Sequence, residues 1–328
     1  MKYTTNTHQL CIKNIYKNSI FFDIETTGLS RERSHIYLIG VGVCTNEIYT
    51  IHQWFSESNE EEKNIIEEFL AFITPYDTLL HFNGASFDIP FVNHRAQLYG
   101  LKGISQDITS VDLYKNISPY KNILKLDNLQ QKTIEQFLDI NRDDEYDGGK
   151  LIKIYKDYIK KPTGEALNLL LLHNHDDMLG LAKLTVIDAY VKLFSGLAEI
   201  KITNAYKNSY SDSDNNLCEE LIYELITDIN LPKKISYGND NYYIIANNNT
   251  VILKVSLIDN KLKYYYDNYK DYYYLPAEDM AIHKSVATYV DKEHRKPATT
   301  DTCYSKINYN EDLLTNIDYI KNAINHIK

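Results

Sequence analysis

The chain has 328 residues, 44% of them apolar, and a formal net charge of −10. That length allows two domains, and the acidic balance repels nucleic acid overall, so a nucleic-acid partner would need a local basic patch. The four cysteines, Cys11, Cys44, Cys218 and Cys303, are far apart and form no Cys-x-x-Cys. This argues against a zinc knuckle or a disulfide framework and fits a reducing cytoplasm, while the polar first 20 residues and the lack of a long apolar run predict neither signal peptide nor membrane span.

In chain order, residues 1–18 read as a polar lead-in. A short apolar run from Ser19 leads into Asp23-Ile24-Glu25 and predicts a buried strand over 19–25. Residues 35–43 (HIYLIGVGV) and 47–54 predict two more strands in an antiparallel meander. Ser58 with Glu61, or Asn59 with Glu62, has capping-box spacing and opens a helix whose apolar stripe is Ile65, Ile66, Phe69, Leu70 and Ile73. A strand at 77–82, a helix at 87–99, a strand at 107–113 and helices at about 125–138, 149–160 and 165–195 follow. This order predicts an α/β domain with a mixed sheet flanked by helices over 19–200.

The polar stretch 201–217, which includes YKNSYSDSDNN, reads as a linker. Beyond it, short β-type runs at 233–237, 242–246, 251–258, 261–266 and 272–275 are punctuated by Asn-rich turns, Asn247-Asn248-Asn249 among them. With helices at about 277–290 and 310–327, residues 218–328 predict a smaller α+β domain.

Three stretches carry chemistry. Asp23 and Glu25 are two apart on a strand and so point to one face. Asp88 follows a strand at the start of a helix, as a ligand or as the helix N-cap. His173 and Asp177 are four apart in the apolar helix LLLLHNHDDML and share a face, as a simple side-chain pair or as part of a site; His175 and Asp176 point elsewhere, towards solvent. Four carboxylates and one imidazole suit a pair of Mg²⁺ or Mn²⁺ ions about 4 Å apart that stabilise the attacking water and the leaving oxygen of a phosphodiester.

These stretches resemble the three motifs of the DEDD 3′–5′ exonucleases of the ribonuclease H-like superfamily, and most of all a bacterial branch of predicted exonucleases. The matching text is FDIETTGL at 22–29, HIYLIGVG at 35–42, Phe82-Asn83-Gly84, FDIPF at 87–91, VDLY at 111–114, and His173-Asn174 with Asp177-Met178-Leu179. The resemblance covers about 19–195, including 126–148 with Arg142 and Asp144, and nothing beyond about 200. It implies a ribonuclease H-like fold and a hydrolase acting on single-stranded DNA or RNA ends. It implies that Asp23, Glu25 and Asp177 hold a first metal ion. Asp23 would bridge to a second, with Asp88 acting directly or through water. It also implies substrate contacts from Thr26, Asn83 and Phe87, and a structural Asp112. Many relatives carry Tyr four before the last Asp, and the His-bearing branch places its His five before; this chain has His173 at four.

Basic runs at Lys150, Lys153, Lys156, Lys160 and Lys161, and at 292–296, read as solvated faces or as phosphate contacts. The tyrosines at 264–266 and 272–274 read as core and edges of a small sheet, or as stacking platforms for bases. A non-catalytic nucleic-acid-binding protein and a structural, partner-binding protein are the alternative functions.

Overall fold

The computed structural model describes residues 1–10, 12, 16–142 and 148–327; Cys11 and Asp144 lie outside them. The chain divides into unit 1, residues 1–118 and 127–185, and unit 2, residues 119–126 and 186–328. Cys44, Cys218 and Cys303 form no disulfide, and among the described residues no helix is long and apolar enough to cross a membrane.

Unit 1 contains β1 (Lys2–Gln9), β2 (Ser19–Thr26), β3 (Ile36–Thr45), β4 (Ile48–Phe55), α1 (Glu62–Ile73), β5 (Thr78–His81), α2 (Asp88–Leu98), β6 (Thr109–Asp112), α3 (Leu113–Ile117), α4 (Gln131–Phe137), α5 (Gly148–Tyr158) and α6 (Gly164–Leu184). Its six strands form one sheet in the order β1-β4-β3-β2-β5-β6. The first four pair antiparallel, and β5 and β6 are parallel to β2. This is the expected mixed sheet. Apolar residues of β2 and β3 pack with Ile65, Ile66, Phe69 and Ile73 of α1, each at most 1% exposed. Burial on that scale is worth about 1.5–3 kcal/mol per large side chain. A second cluster joins Tyr37, Leu38 and Phe55 to Leu151, Tyr155 and Tyr158 of α5 and to Leu167 and Leu170 of α6.

Four local expectations for unit 1 are corrected. Residues 2–9 form β1, an edge strand with polar side chains; both its faces are wet, so no apolar alternation marks it. Ser58 makes no capping bond; the helix is entered through a 3-10 turn at Asn59–Glu61, and Glu57 N–H donates to Glu61. The helix expected over 165–195 breaks at Thr185–Ile187. Asp176 is buried, and His175 is partly buried between Asp176 and His8 of β1.

Unit 2 contains α7 (Asp188–Phe194), β7 (Ile200–Ser211), β8 (Leu217–Gly238), β9 (Tyr242–Leu257), β10 (Lys261–Tyr265), β11 (Tyr272–Leu275), β12 (Met280–His283), β13 (Lys296–Pro297), β14 (Tyr304–Asn308) and α8 (Ile317–Asn325). They form the sheets β7-β8-β9, β10-β14 and β12-β11-β13, an α+β unit. The stretch 201–217 is no linker: most of it is β7, paired antiparallel with β8. Asn247-Asn248-Asn249 lies inside β9, where the β8–β9 register shifts, and Asn248 takes a left-handed φ of 51°. Residues 277–290 are not a helix but β12 and a 3-10 turn. The tyrosines build core and edges, as in the Tyr266–Tyr272 stack at 4.7 Å and buried Tyr265.

One buried ion cluster ties α1 to α2 in unit 1. Glu62 is fully buried and accepts from Arg95, from Tyr99 Oη (2.7 Å) and from the Ile36 N–H (2.8 Å). Burial alone would raise the Glu62 pKa, but these donors, Arg95 foremost, hold it below the ordinary value. Such a depressed carboxyl contributes stability above its unfolded pKa that is lost as pH falls through its folded one. Arg95→Met should therefore cost about 3–5 kcal/mol in urea unfolding, because it strands a buried charge. The double change Glu62→Gln/Arg95→Met should cost less than Arg95→Met alone, and Glu62→Gln should flatten the acid limb of the stability profile.

Candidate active site

The first pair sits on β2. Asp23 and Glu25 are two residues apart on a central strand, so they leave the sheet on the same side. Asp88 is the first residue of α2 and is 5% exposed. It does not cap its helix; the Ile24 N–H donates across to its Oδ1 (3.2 Å). The third stretch lies on α6, which reaches the sheet because β3 carries Gly40 and Gly42. A Cβ on Gly40 would collide with the Asn174 amide, and one on Gly42 with the Tyr49 ring. Tyr49 Oη donates to the Met178 carbonyl (2.9 Å) and pins the helix.

In this seat, His173 Nε2 lies 3.4 Å from Glu25 Oε1 and 3.2 Å from Asp177 Oδ2. The bland reading of a His173–Asp177 pair alone is thus too small: the imidazole stands between carboxylates from two elements. One ligand atom each from Glu25, His173 and Asp177 lies within 4.8 Å of the others, close enough to share one cation. Asp23 faces the same charge. Burial first, then the carboxylates of Asp88, Asp177 and Glu25, push its pKa well above the usual range, and the Asn174 amide, donating to Oδ2 (3.0 Å), only partly offsets this. Burial is also the main cause that lifts Asp88 to about 7, against the pull of the Ile24 N–H. Two carboxyls held up in this way mark a pocket with excess negative charge, which a hard divalent cation would neutralise. The donor set fits Mg²⁺ or Mn²⁺.

Sequence reasoning missed the groups that hold these carboxylates. Asn174 is fully buried; its Oδ1 accepts from Gln53 (3.0 Å), which also donates to the Leu171 carbonyl (2.9 Å). The signal was available, since Asn174 interrupts the buried stripe Leu167, Leu170, Met178 and Leu181. Tyr37 Oη donates to Glu25 Oε2 (3.4 Å). Arg142, read only as part of connecting helices, donates to Asp177 Oδ1 (2.5 Å) and to both oxygens of Glu135. Gln131 donates to Glu135 Oε1 (2.8 Å) and to the Asp177 carbonyl (3.0 Å). Glu135 and Arg142 are too far from Asp177 in sequence for spacing to link them.

The other named residues are placed differently. Thr26 Oγ1 donates to the Gly28 carbonyl within its own turn (2.8 Å). Phe87 packs against the core and Phe91. Asn83 is exposed in a left-handed turn (φ 59°), where its N–H donates to Asp112 Oδ1 (2.8 Å). Asp112 also caps α3 by accepting from the Tyr114 N–H. Lys150, Lys153, Lys156, Lys160 and Lys161 form an exposed face. Arg295 bends back over the Tyr273 ring and donates to the Ala287 carbonyl.

No curated protein matches the sequence at a significant level. Among solved structures, a family B DNA polymerase from the hyperthermophilic archaeon Pyrobaculum calidifontis is similar over 53% of this chain and 25% of its own, with 18% identity and a TM-score of 0.41. E. coli exonuclease I in complex with a dT13 oligonucleotide is similar over 63% of this chain and 54% of its own, with 11% identity and a TM-score of 0.33. The zinc-bound E. coli ExoI–ssDNA complex is similar over 65% and 55%, with 10% identity and a TM-score of 0.32. This chain thus spans from a quarter to just over half of those structures. The model of the RNase H superfamily matches residues 20–187, more than half of the sequence. The chain belongs to the RNase H superfamily.

Proposed function

We propose that unit 1 is a divalent-metal-dependent nuclease, and more narrowly a 3′–5′ exonuclease that hydrolyses the terminal phosphodiester of a single-stranded DNA or RNA end in the cytoplasm. The observation that carries this reading is the gathering of Glu25, His173 and Asp177 within 4.8 Å of one another, beside Asp23 and Asp88. Asp23, Glu25 and Asp177 would hold one Mg²⁺ or Mn²⁺, and Asp23 with Asp88 a second. Such ions, when bound, stabilise the charge that develops on the attacking and leaving oxygens.

The remaining roles fall to the chain's own side chains. His173, between Glu25 and Asp177, orients the attacking water and takes its proton. Asn174 fixes one oxygen of Asp23 and leaves the other for a ligand. Arg142 fixes Oδ1 of Asp177, whose Oδ2 faces His173, so each carboxylate presents a defined edge. The rival reading of a non-catalytic nucleic-acid-binding protein leaves this convergence of like charges without a purpose. Thr26, Asn83 and Phe87 are proposed as substrate contacts at the rim, Thr26 through its backbone because its hydroxyl is engaged.

Digestion of end-labelled single- and double-stranded DNA and RNA tests the proposal. Cleavage should require Mg²⁺ or Mn²⁺ and stop with EDTA. Asp23→Asn and Asp177→Asn should each abolish it with the circular dichroism spectrum unchanged; full activity in either variant overturns the assignment. His173→Ala should slow turnover by roughly 10²–10⁴-fold, whereas near-normal turnover with a lowered Tm would reduce His173 to packing. The raised carboxyls give a pH test. A carboxyl whose folded pKa is raised lends stability that is fully present below its unfolded pKa, near 3.8, and lost as pH rises through the folded value, about 7 for Asp88. Bound cation should restore that loss, so Mn²⁺ should raise Tm more at pH 8 than at pH 5. Equal shifts at both pH values would separate the metal from these carboxyls.

A further inference from the structure

Unit 2 holds a cavity of about 150 Å³ lined by Lys261, Lys263 and Lys306, with Asn241 and Ser256 among its polar wall groups. The liquid allots about 30 Å³ to each water, so the space admits a group the size of a phosphate. The three lysines converge for a simple geometric reason. Lys261 and Lys263 are two apart on β10 and share a face, and Lys263 stands directly across from Lys306 on β14.

Like charges placed directly opposite on paired strands are destabilising, so the arrangement needs a compensating anion. Lys306 has one, since its Nζ lies 2.8 Å from Asp279 Oδ2. That carboxylate is already committed elsewhere too, accepting from Tyr274 Oη (2.6 Å) and from Tyr304 Oη. Lys263 makes no direct ion pair: among the described residues no carboxylate lies within ion-pairing distance of its ammonium, which sits 4.2 Å from the centroid of the Tyr304 ring. It is partly buried; burial first and the nearby Lys306 lower its pKa, while the Asp279 and Asp240 carboxylates partly offset this. Three ammonium groups and the carboxylates of Asp259 and Asp279 line the cavity, and the Asp240 carboxylate acts on Lys263 from beside it.

We propose that this cavity is an anion site that takes one phosphate group, with Lys263 as the principal contact and Lys261 and the Asn241 side-chain amide as supporting ones. The phosphate is that of a nucleic-acid strand or a free phosphate ion. The inference stands apart from the nuclease reading, because it concerns binding in unit 2 and needs no cleavage.

The test uses the full chain in EDTA, with two probes: sodium phosphate, by isothermal titration, and fluorescein-labelled dT8, by anisotropy across 50–200 mM NaCl. Lys263→Gln should weaken binding of at least one probe by about tenfold, the scale of one charge-assisted hydrogen bond. Lys261→Gln, at an exposed position, should weaken the same probe by a smaller factor, and Lys263→Arg should retain affinity within about twofold of wild type, as the charge is kept. For dT8, the slope of log K against log salt should fall by about one in Lys263→Gln. Loss with dT8 alone identifies a strand phosphate as the ligand, and loss with sodium phosphate identifies the free ion. Circular dichroism and Tm establish that the variants fold. Wild-type protein that binds neither probe, or Lys263→Gln protein that binds both like wild type, overturns the proposal.

Discussion

The close approach of α6 to β3 is the constraint on which unit 1 depends. Gly40 and Gly42 leave no Cβ where Asn174 and the Tyr49 ring must lie. A helix held further off by even one methyl group would carry His173 and Asp177 out of reach of Glu25. The same contact places Asn174 against Asp23 and Gln53. Two small residues on a buried strand thus decide whether three separate segments of sequence act as one group.

That packing brings an electrostatic cost, which the structure meets with fixed donors. Four carboxylates crowd a poorly solvated pocket, and two of them have raised pKa values. The neighbours that engage them include the Asn174 amide, the Ile24 N–H, the Tyr37 hydroxyl and the Arg142 guanidinium. Arg142 is itself held by Glu135, and Glu135 by Gln131. A chain of this kind holds the carboxylates in place without neutralising the whole pocket, which keeps the demand for a cation. Preorganisation of this sort favours a bound cation over rearrangement of the ligands.

How much could be read from the sequence follows the physics of each signal. Asp23 and Glu25, Asp88, and His173 and Asp177 stood out because each lies on or beside an apolar element, where a charged residue is conspicuous. Glu62 was misread for the opposite reason: it sits among Glu60 and Glu61, and only the tertiary position of Arg95, 33 residues away, shows it to be a buried partner. The strands β1 and β7 read as lead-in and linker in the sequence because both are largely wet, and a polar strand lacks the alternation that marks one. In unit 2, β8 and β9 run through register shifts that broke their pattern into short pieces. The left-handed Asn248 inside β9 is the kind of residue that usually announces a turn.

The edge strand β1 has a consequence for handling the protein. Eight consecutive residues of β1 pair with β4, which carries buried Tyr49, Ile51, Trp54 and Phe55. Without β1, the backbone N–H and C=O groups of β4 would be open along an apolar strand, and such an edge recruits strands from other molecules. β1 replaces that edge with one bearing Lys2, threonines, Asn6 and Gln9, which water solvates well. A shortened version that starts at β2, a natural choice when only the sequence is in view, would therefore keep every candidate ligand yet present a sticky margin. Its failure would show as self-association at high concentration rather than as damage to the candidate site.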